Sequence, residues 1–161
     1  MNKVEKIMNN YVTHYNHKKY WKYKFKLANL RVPKLIKYYY LFKMRKMEAY
    51  NCASLGNNIE GGSEFKNPPY LPHGIKGIFI TDTAKIGKNC TILHQVTIGL
   101  KDWSGEVGPT IGDNVFIGAG AKIIGPIHIG NNVKIGANAV VICDVPDNTT
   151  VVCQKPRLIQ K

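Results

Sequence analysis

The segment PTIGDNVFIGAGAKIIGPIHIGNNVKIGANAVVICDVPDNTTVV, residues 109–152, places an aliphatic residue every six positions: Ile111, Ile117, Ile123, Ile129, Ile135 and Val141. Upstream, Ile80, Ile86, Ile92 and Ile98 form a second series with the same step of six. Four positions after these leaders stand Ala84, Cys90, Val96, Val115, Ala121, Ile127, Val133, Ala139 and Val145, all small or apolar; Ile98 alone is followed there by a charged residue, Asp102. A period of six is neither 3.6 nor 2, so an amphipathic helix or an alternating strand cannot hold these leaders on one face. A parallel β-helix can: three hexads, each a short flat strand and a turn, close a triangular coil of 18 residues with leaders stacked inward. Ten hexads make a little over three coils, and the irregular stretch 51–79 offers a degenerate further one. Glycine follows six of the leaders directly, at Gly87, Gly99, Gly112, Gly118, Gly130 and Gly136. It is expected to give the tight corners their backbone freedom.

The register breaks once, between Ile98 and Ile111, where 13 residues replace six. About seven residues are therefore extruded within LKDWSGEVGP, the loop at 100–109, and Asp102, Trp103 and Glu106 are its chemically expressive members.

Outside the repeat the chain changes character. Of its 23 Lys+Arg, 13 fall in residues 1–50 against only Glu5 and Glu48, while the glycines begin at Gly56. The expected organisation is a basic, aromatic helical segment (1–50), a transition with a degenerate coil (51–79), the β-helix (80–152) and a C-terminal tail (153–161). Leu27, Leu30, Leu35, Ile36, Tyr39, Tyr40, Met44 and Met47 recur at helical spacings and are expected to form the packed face of short helices broken at Pro33. The run KKYWKYKFK reads either as a surface for anionic lipid or nucleic acid, or as a lysine face backed by aromatics that pack on the protein; nucleic acid is the less expected partner.

Composition narrows the class further. With 44% apolar residues the chain can bury a core, and no apolar run approaches the ~20 residues of a membrane span. The start, MNKVEKIMNNYVTHYNHKKY, lacks the apolar core of a secretory signal. Cys52, Cys90, Cys143 and Cys153 show no C-x-x-C spacing, which fits free thiols in the cytoplasm; peripheral contact at the inner membrane face is the expectation attached to the basic segment.

HQVTIG (94–99), the 109–152 segment and KPRLI (155–159) resemble the left-handed β-helix acyltransferases, most of all the serine acetyltransferase branch. Similar short proteins modify surface polysaccharides. The resemblance covers about Pro69 to Ile159 and implies a homotrimer that moves acetyl from acetyl-CoA to a hydroxyl, with active sites between subunits and no metal. In the serine enzymes the catalytic histidine precedes a G-I-V-V-type segment; His73 in LPHGIKGIFI corresponds to it. Its implied role is to take the hydroxyl proton during attack on the thioester, which an imidazole near its ordinary pKa suits at neutral pH. His94, Asp102 and Glu106 are the candidate acceptor contacts. Gly99, Ala119, Gly120, Ala137 and Asn138 match small-residue corners where the family lays pantetheine, and Lys134, Lys155 and Arg157 are the candidates for the CoA phosphates. His128 reads as a solvent-facing residue.

Departures shape the acceptor expectation. The family places Asp directly before the catalytic His and His before the proline that ends the loop; here Pro72 and Gly108 stand there. The carboxylate that orients the base has no clear equivalent, with Glu60 and Glu64 both open. These absences favour a saccharide or surface-polysaccharide precursor as acceptor, with serine, and a silent trimeric scaffold, as alternatives. A zinc site is not expected, because His73, His94 and His128 are 21 and 34 residues apart, neither a multiple of 18, and so should not share an edge.

Overall fold

A computed structural model describes residues 11–102, 107–153 and 159 of the chain. Among the described residues two complete helices precede the coil: α1 (His17–Leu27) and α2 (Lys34–Tyr50). Asn16 caps α1 by accepting the Lys19 N–H at 3.0 Å, and Pro33 stands at the N-cap of α2, where its missing N–H costs no helix bond. Neither is long and apolar enough to cross a membrane, nor is any other helix among the described residues.

Thirteen strands of two or three residues follow: β1 (Ser54–Leu55), β2 (Glu64–Phe65), β3 (Phe79–Ile80), β4 (Lys85–Ile86), β5 (Thr91–Ile92), β6 (Thr97–Gly99), β7 (Thr110–Ile111), β8 (Phe116–Ile117), β9 (Lys122–Ile124), β10 (His128–Ile129), β11 (Lys134–Ile135), β12 (Val140–Val141) and β13 (Thr150–Val151). They stack as three parallel sheets, β1-β3-β6-β9-β12, β2-β4-β7-β10 and β5-β8-β11-β13. This is a left-handed parallel β-helix of about four turns. All ten leaders are buried, from Ile80 to Val141, and so are the nine small or apolar residues four positions behind them. Each buried aliphatic leader contributes roughly 1.5–3 kcal/mol, which repetition multiplies along the prism.

The registers locate the extruded loop and the irregular first coil. Phe79 pairs Thr97 and Lys122 pairs Val140, steps of 18, but Thr97 pairs Lys122 and Lys85 pairs Thr110, steps of 25. The excess of seven is the extruded loop. In the first coil Glu64 pairs Lys85 and Tyr70 bridges Thr91, steps of 21, so three further residues sit between Tyr70 and Phe79.

Corner chemistry differs from expectation. The left-handed corner conformation falls mostly to asparagine: Asn89, Asn114, Asn132 and Asn148 have φ between 55° and 59°. Their amides form a ladder along one edge, Asn89 Nδ2 to Asn114 Oδ1 at 3.2 Å, Asn114 Nδ2 to Asn132 Oδ1 at 3.2 Å and Asn132 Nδ2 to Asn148 Oδ1 at 3.0 Å. The leader-following glycines do not carry positive φ; most are needed because coils approach closely there. A Cβ on Gly118 would stand 2.6 Å from Ala137 N, and one on Gly112 2.8 Å from Gly130 O.

The helices pack on the first coil. Tyr20, Trp21, Leu27 and Met44 join the β-helix core, and the Trp21 and Phe65 rings meet edge-on at 4.8 Å. Buried Glu48 accepts from the Tyr20 hydroxyl at 2.7 Å and from Leu55 N at 3.0 Å, and Arg45 Nη1 lies 3.5 Å from its other oxygen. Burial, then the Glu48 charge, holds the Tyr20 phenol well above its ordinary pKa. Of the expected helical core, Leu27 and Met44 are buried, Tyr40 and Met47 partly so, while Leu30, Leu35, Ile36 and Tyr39 face solvent. The 3.6 period was read over two apolar faces at once, and only one meets the coil.

Candidate active site

The chain turns from the third sheet back to the first at one edge of the prism, through residues 71–78, 93–96, 118–121 and 136–139 in successive coils. The three extra residues of the first coil lie on this edge and push LPHGIKG outward. His73 rides on that bulge and meets His94 of the coil below, ring centroids 4.8 Å apart at 81°. The expectation that these histidines would not share an edge fails for a simple reason: the first coil advances by 21 residues, and 21 is their separation. His128 stands on β10 in a different sheet, exposed, as expected. Among the described residues no three His, Cys, Asp or Glu converge as a metal site.

The two imidazoles line a cleft of about 900 Å³ whose opposite wall is Thr13, Tyr15, His17, Asn51 and Cys52. The sequence reading missed this wall. The Tyr15 hydroxyl and His17 Nδ1 are hydrogen-bonded at 3.0 Å, and burial lowers the His17 pKa. His94 Nδ1 is buried and has no hydrogen-bond partner among the described residues. Among the described residues Lys76 is the one lysine or arginine lining the cleft, and no carboxylate lines it.

Glu60 and Glu64 therefore do not orient His73. Both line a smaller cleft of about 390 Å³ with Lys24, Gly61 and Ser63. Asp102 is exposed where the loop leaves β6, on the next edge of the prism, and so is not in the His73 cleft of its own chain. Trp103, Glu106, Lys155 and Arg157 lie outside the described residues.

Below His94 the same edge carries Ala119 and Gly120, then Ala137 and Asn138. Gly120 N donates to His94 O at 3.0 Å and Asn138 N to Ala119 O at 2.8 Å. The column beneath the imidazoles is thus lined by small side chains, and Gly120 and Asn138 take positive φ, 71° and 56°. A Cβ on Gly120 would collide with Asn138 Oδ1, so a larger residue there requires the Asn138 amide to move. Gly99 sits on the next edge at the end of β6, and Lys134 is exposed on β11, the strand leading into the column.

The model of the bacterial transferase hexapeptide family, six repeats, matches residues 108–143. The coil thus carries the hexapeptide repeat of that transferase family. It is 42% identical over 107 residues to a serine acetyltransferase of Helicobacter pylori, covering 66% of this chain and 62% of that one. The soybean serine acetyltransferase complexed with serine superposes with a TM-score of 0.69 at 31% identity, over 88% of this chain and 54% of that one. Isoform 3 from Entamoeba histolytica, in complex with cysteine, gives 0.65 at 34% identity, over 77% of this chain and 43% of that one. The chain thus spans less than two thirds of these relatives, and about half of the solved ones. They also correct the acceptor expectation: the relatives matched are serine acetyltransferases, not saccharide-modifying enzymes. Reading Pro72 and Gly108 as loss of the serine acceptor gave two positions more weight than the whole repeat region carries.

Proposed function

We propose that this protein transfers acetyl from acetyl-CoA to the hydroxyl of serine, with His73 as general base. The observation that carries the reading is the His73–His94 pair in a cleft at the head of a column of small corners, in a chain whose relatives are serine acetyltransferases. Pantetheine lies along Ala119, Gly120, Ala137 and Asn138, with Gly99 on the adjoining edge and Lys134, Lys155 and Arg157 toward the phosphates. His73 accepts the hydroxyl proton as the serine oxygen bonds to the thioester carbonyl carbon. The carbon–sulfur bond then breaks, and the proton passes to the departing thiolate. Backbone N–H groups at the corner stabilise the oxyanion between these steps.

His94 holds the His73 ring and lines the acceptor pocket. Among the described residues the cleft has no carboxylate for the serine ammonium, and in a homotrimer the extruded loop of a neighbouring subunit supplies Asp102 and Glu106. The enzyme acts in the cytoplasm, where acetyl-CoA and serine are both available.

The test is CoA release from acetyl-CoA with and without serine, followed by a thiol reagent. Serine-dependent release that falls about 10²–10⁴-fold in His73→Ala, with acetyl-CoA binding retained, is expected. Serine-independent release alone, or full turnover by His73→Ala, would overturn the proposal.

A further inference from the structure

We propose that the exposed face of α2 docks on an anionic lipid bilayer. A helix on a protein surface normally has one apolar stripe, the one it buries. α2 has two. Lys37, Met44 and Glu48 face the body of the protein, while Leu35, Tyr38, Tyr39 and Phe42, spaced by three, one and three, form a second stripe on the opposite side. Leu35 is 82% exposed and Phe42 65%, and Leu30, in the turn before the helix, is 93% exposed. Lys34 and Lys46 are exposed beside the stripe, and Lys43 Nζ lies 5.6 Å from the centre of the Tyr39 ring. The helix has one acid, Glu48, and it is buried. Aliphatic and aromatic side chains with amphipathic phenols, flanked by cations and free of exposed carboxylates, are the composition of a helix lying in the plane of a membrane interface.

Charge decides between occupants. A second copy would bring lysines against lysines, in a segment whose first 50 residues carry 13 basic residues and two acidic ones. An anionic bilayer meets the same cations with phosphates and the stripe with acyl chains. The KKYWKYKFK run offers less apolar surface to lipid, because Tyr20, Trp21 and Lys24 within it are buried.

Co-sedimentation of the full chain with vesicles tests this, using phosphatidylglycerol mixed with phosphatidylcholine against phosphatidylcholine alone. Binding to the anionic vesicles, reduced about tenfold or more on neutral vesicles and in high salt, is expected. The variant Tyr38→Ser/Tyr39→Ser/Phe42→Ser should lose about tenfold in partitioning while keeping its helical circular dichroism. Should that variant misfold, Lys34→Gln/Lys43→Gln/Lys46→Gln should reproduce the loss. No binding of the unaltered chain to anionic vesicles would overturn the proposal, as would undiminished binding by the folded serine variant. A variant that changes only the oligomer size would assign the stripe to a second copy, and one that loses only duplex DNA binding would assign it to nucleic acid; either overturns the proposal.

Discussion

Lys24 is 4% exposed, and its ammonium donates to Gly61 O and Ser63 Oγ, both at 2.9 Å. Burial outweighs the nearby Glu48 and Asp82 charges and lowers its pKa from the ordinary 10.5 to about 7. The unfolded chain therefore keeps this proton up to about pH 10.5, whereas the native chain releases it near pH 7. Below pH 7 both states are charged and the native one bears the whole cost of burying the cation. Between pH 7 and 10.5 the unfolded state binds one more proton than the native state, so stability rises by about 1.4 kcal/mol per pH unit from this group, to at most about 5 kcal/mol. Above pH 10.5 both are neutral and the gain is complete. Lys24→Met keeps the stem over Phe65 and removes the titration. Urea unfolding of both proteins at several pH values isolates it, because every other group cancels in the difference. The unaltered protein should gain on the variant as pH rises from 7 to 10; a difference that stays flat across that window would refute the account of Lys24.

Ile117 is fully buried between leaders of neighbouring coils, and Ile117→Ala should cost about 2–5 kcal/mol, read as a lower urea midpoint at unchanged slope. Gly87→Ala would drive a methyl into Gly112 O and Asp113 Oδ1, and should destabilise by several kcal/mol or prevent folding. Gly99→Ala, whose methyl would meet Ile124 Cδ1 at 3.4 Å, should leave thermal stability within about 1 kcal/mol. His94→Phe preserves a ring against His73 and should lower kcat far less than His94→Ala; equal losses in the two variants would show that the imidazole itself, and not ring packing, is what matters.

How far the sequence foretold this molecule depends on which residues repeat. Ten leaders in step named the core and the fold, and the one gap in step gave the size of the extruded loop to the residue. The first coil has no such redundancy. Its insertions of a few residues cannot be counted without knowing which residues pair, so the step of 21 that brings His73 over His94 was invisible, and an argument built on 18 separated them. Tyr15 and His17 were beyond reach for a different reason: nothing periodic links residues at the start of α1 to a corner more than 50 residues later. The glycines were correctly noticed and wrongly explained, since a sequence shows a missing side chain without showing whether φ or a neighbouring backbone requires it.

A regular prism has equivalent corners and no reason to favour one as a site. It also has an open end, where the first strand presents unpaired backbone groups that must be covered. Here α1 and α2 cover it: Leu55 N donates to Glu48 Oε1, Leu55 O accepts from Ser63 Oγ, and Ser63 is in turn held by Lys24. The first coil, on which those helices pack, carries extra residues at two edges: Ser54 pairs Phe79, a step of 25, with four of the seven extra residues between Leu55 and Glu64 and three between Tyr70 and Phe79. One set lines the Lys24 cleft, and the other carries His73 and Gly74, where a Cβ on Gly74 would meet the Tyr15 ring at 3.4 Å. The cleft with the paired imidazoles is thus a consequence of capping the solenoid. Substitutions that loosen the cap, such as Glu48→Gln, should disturb turnover through the position of His73 before they disturb the coils below it.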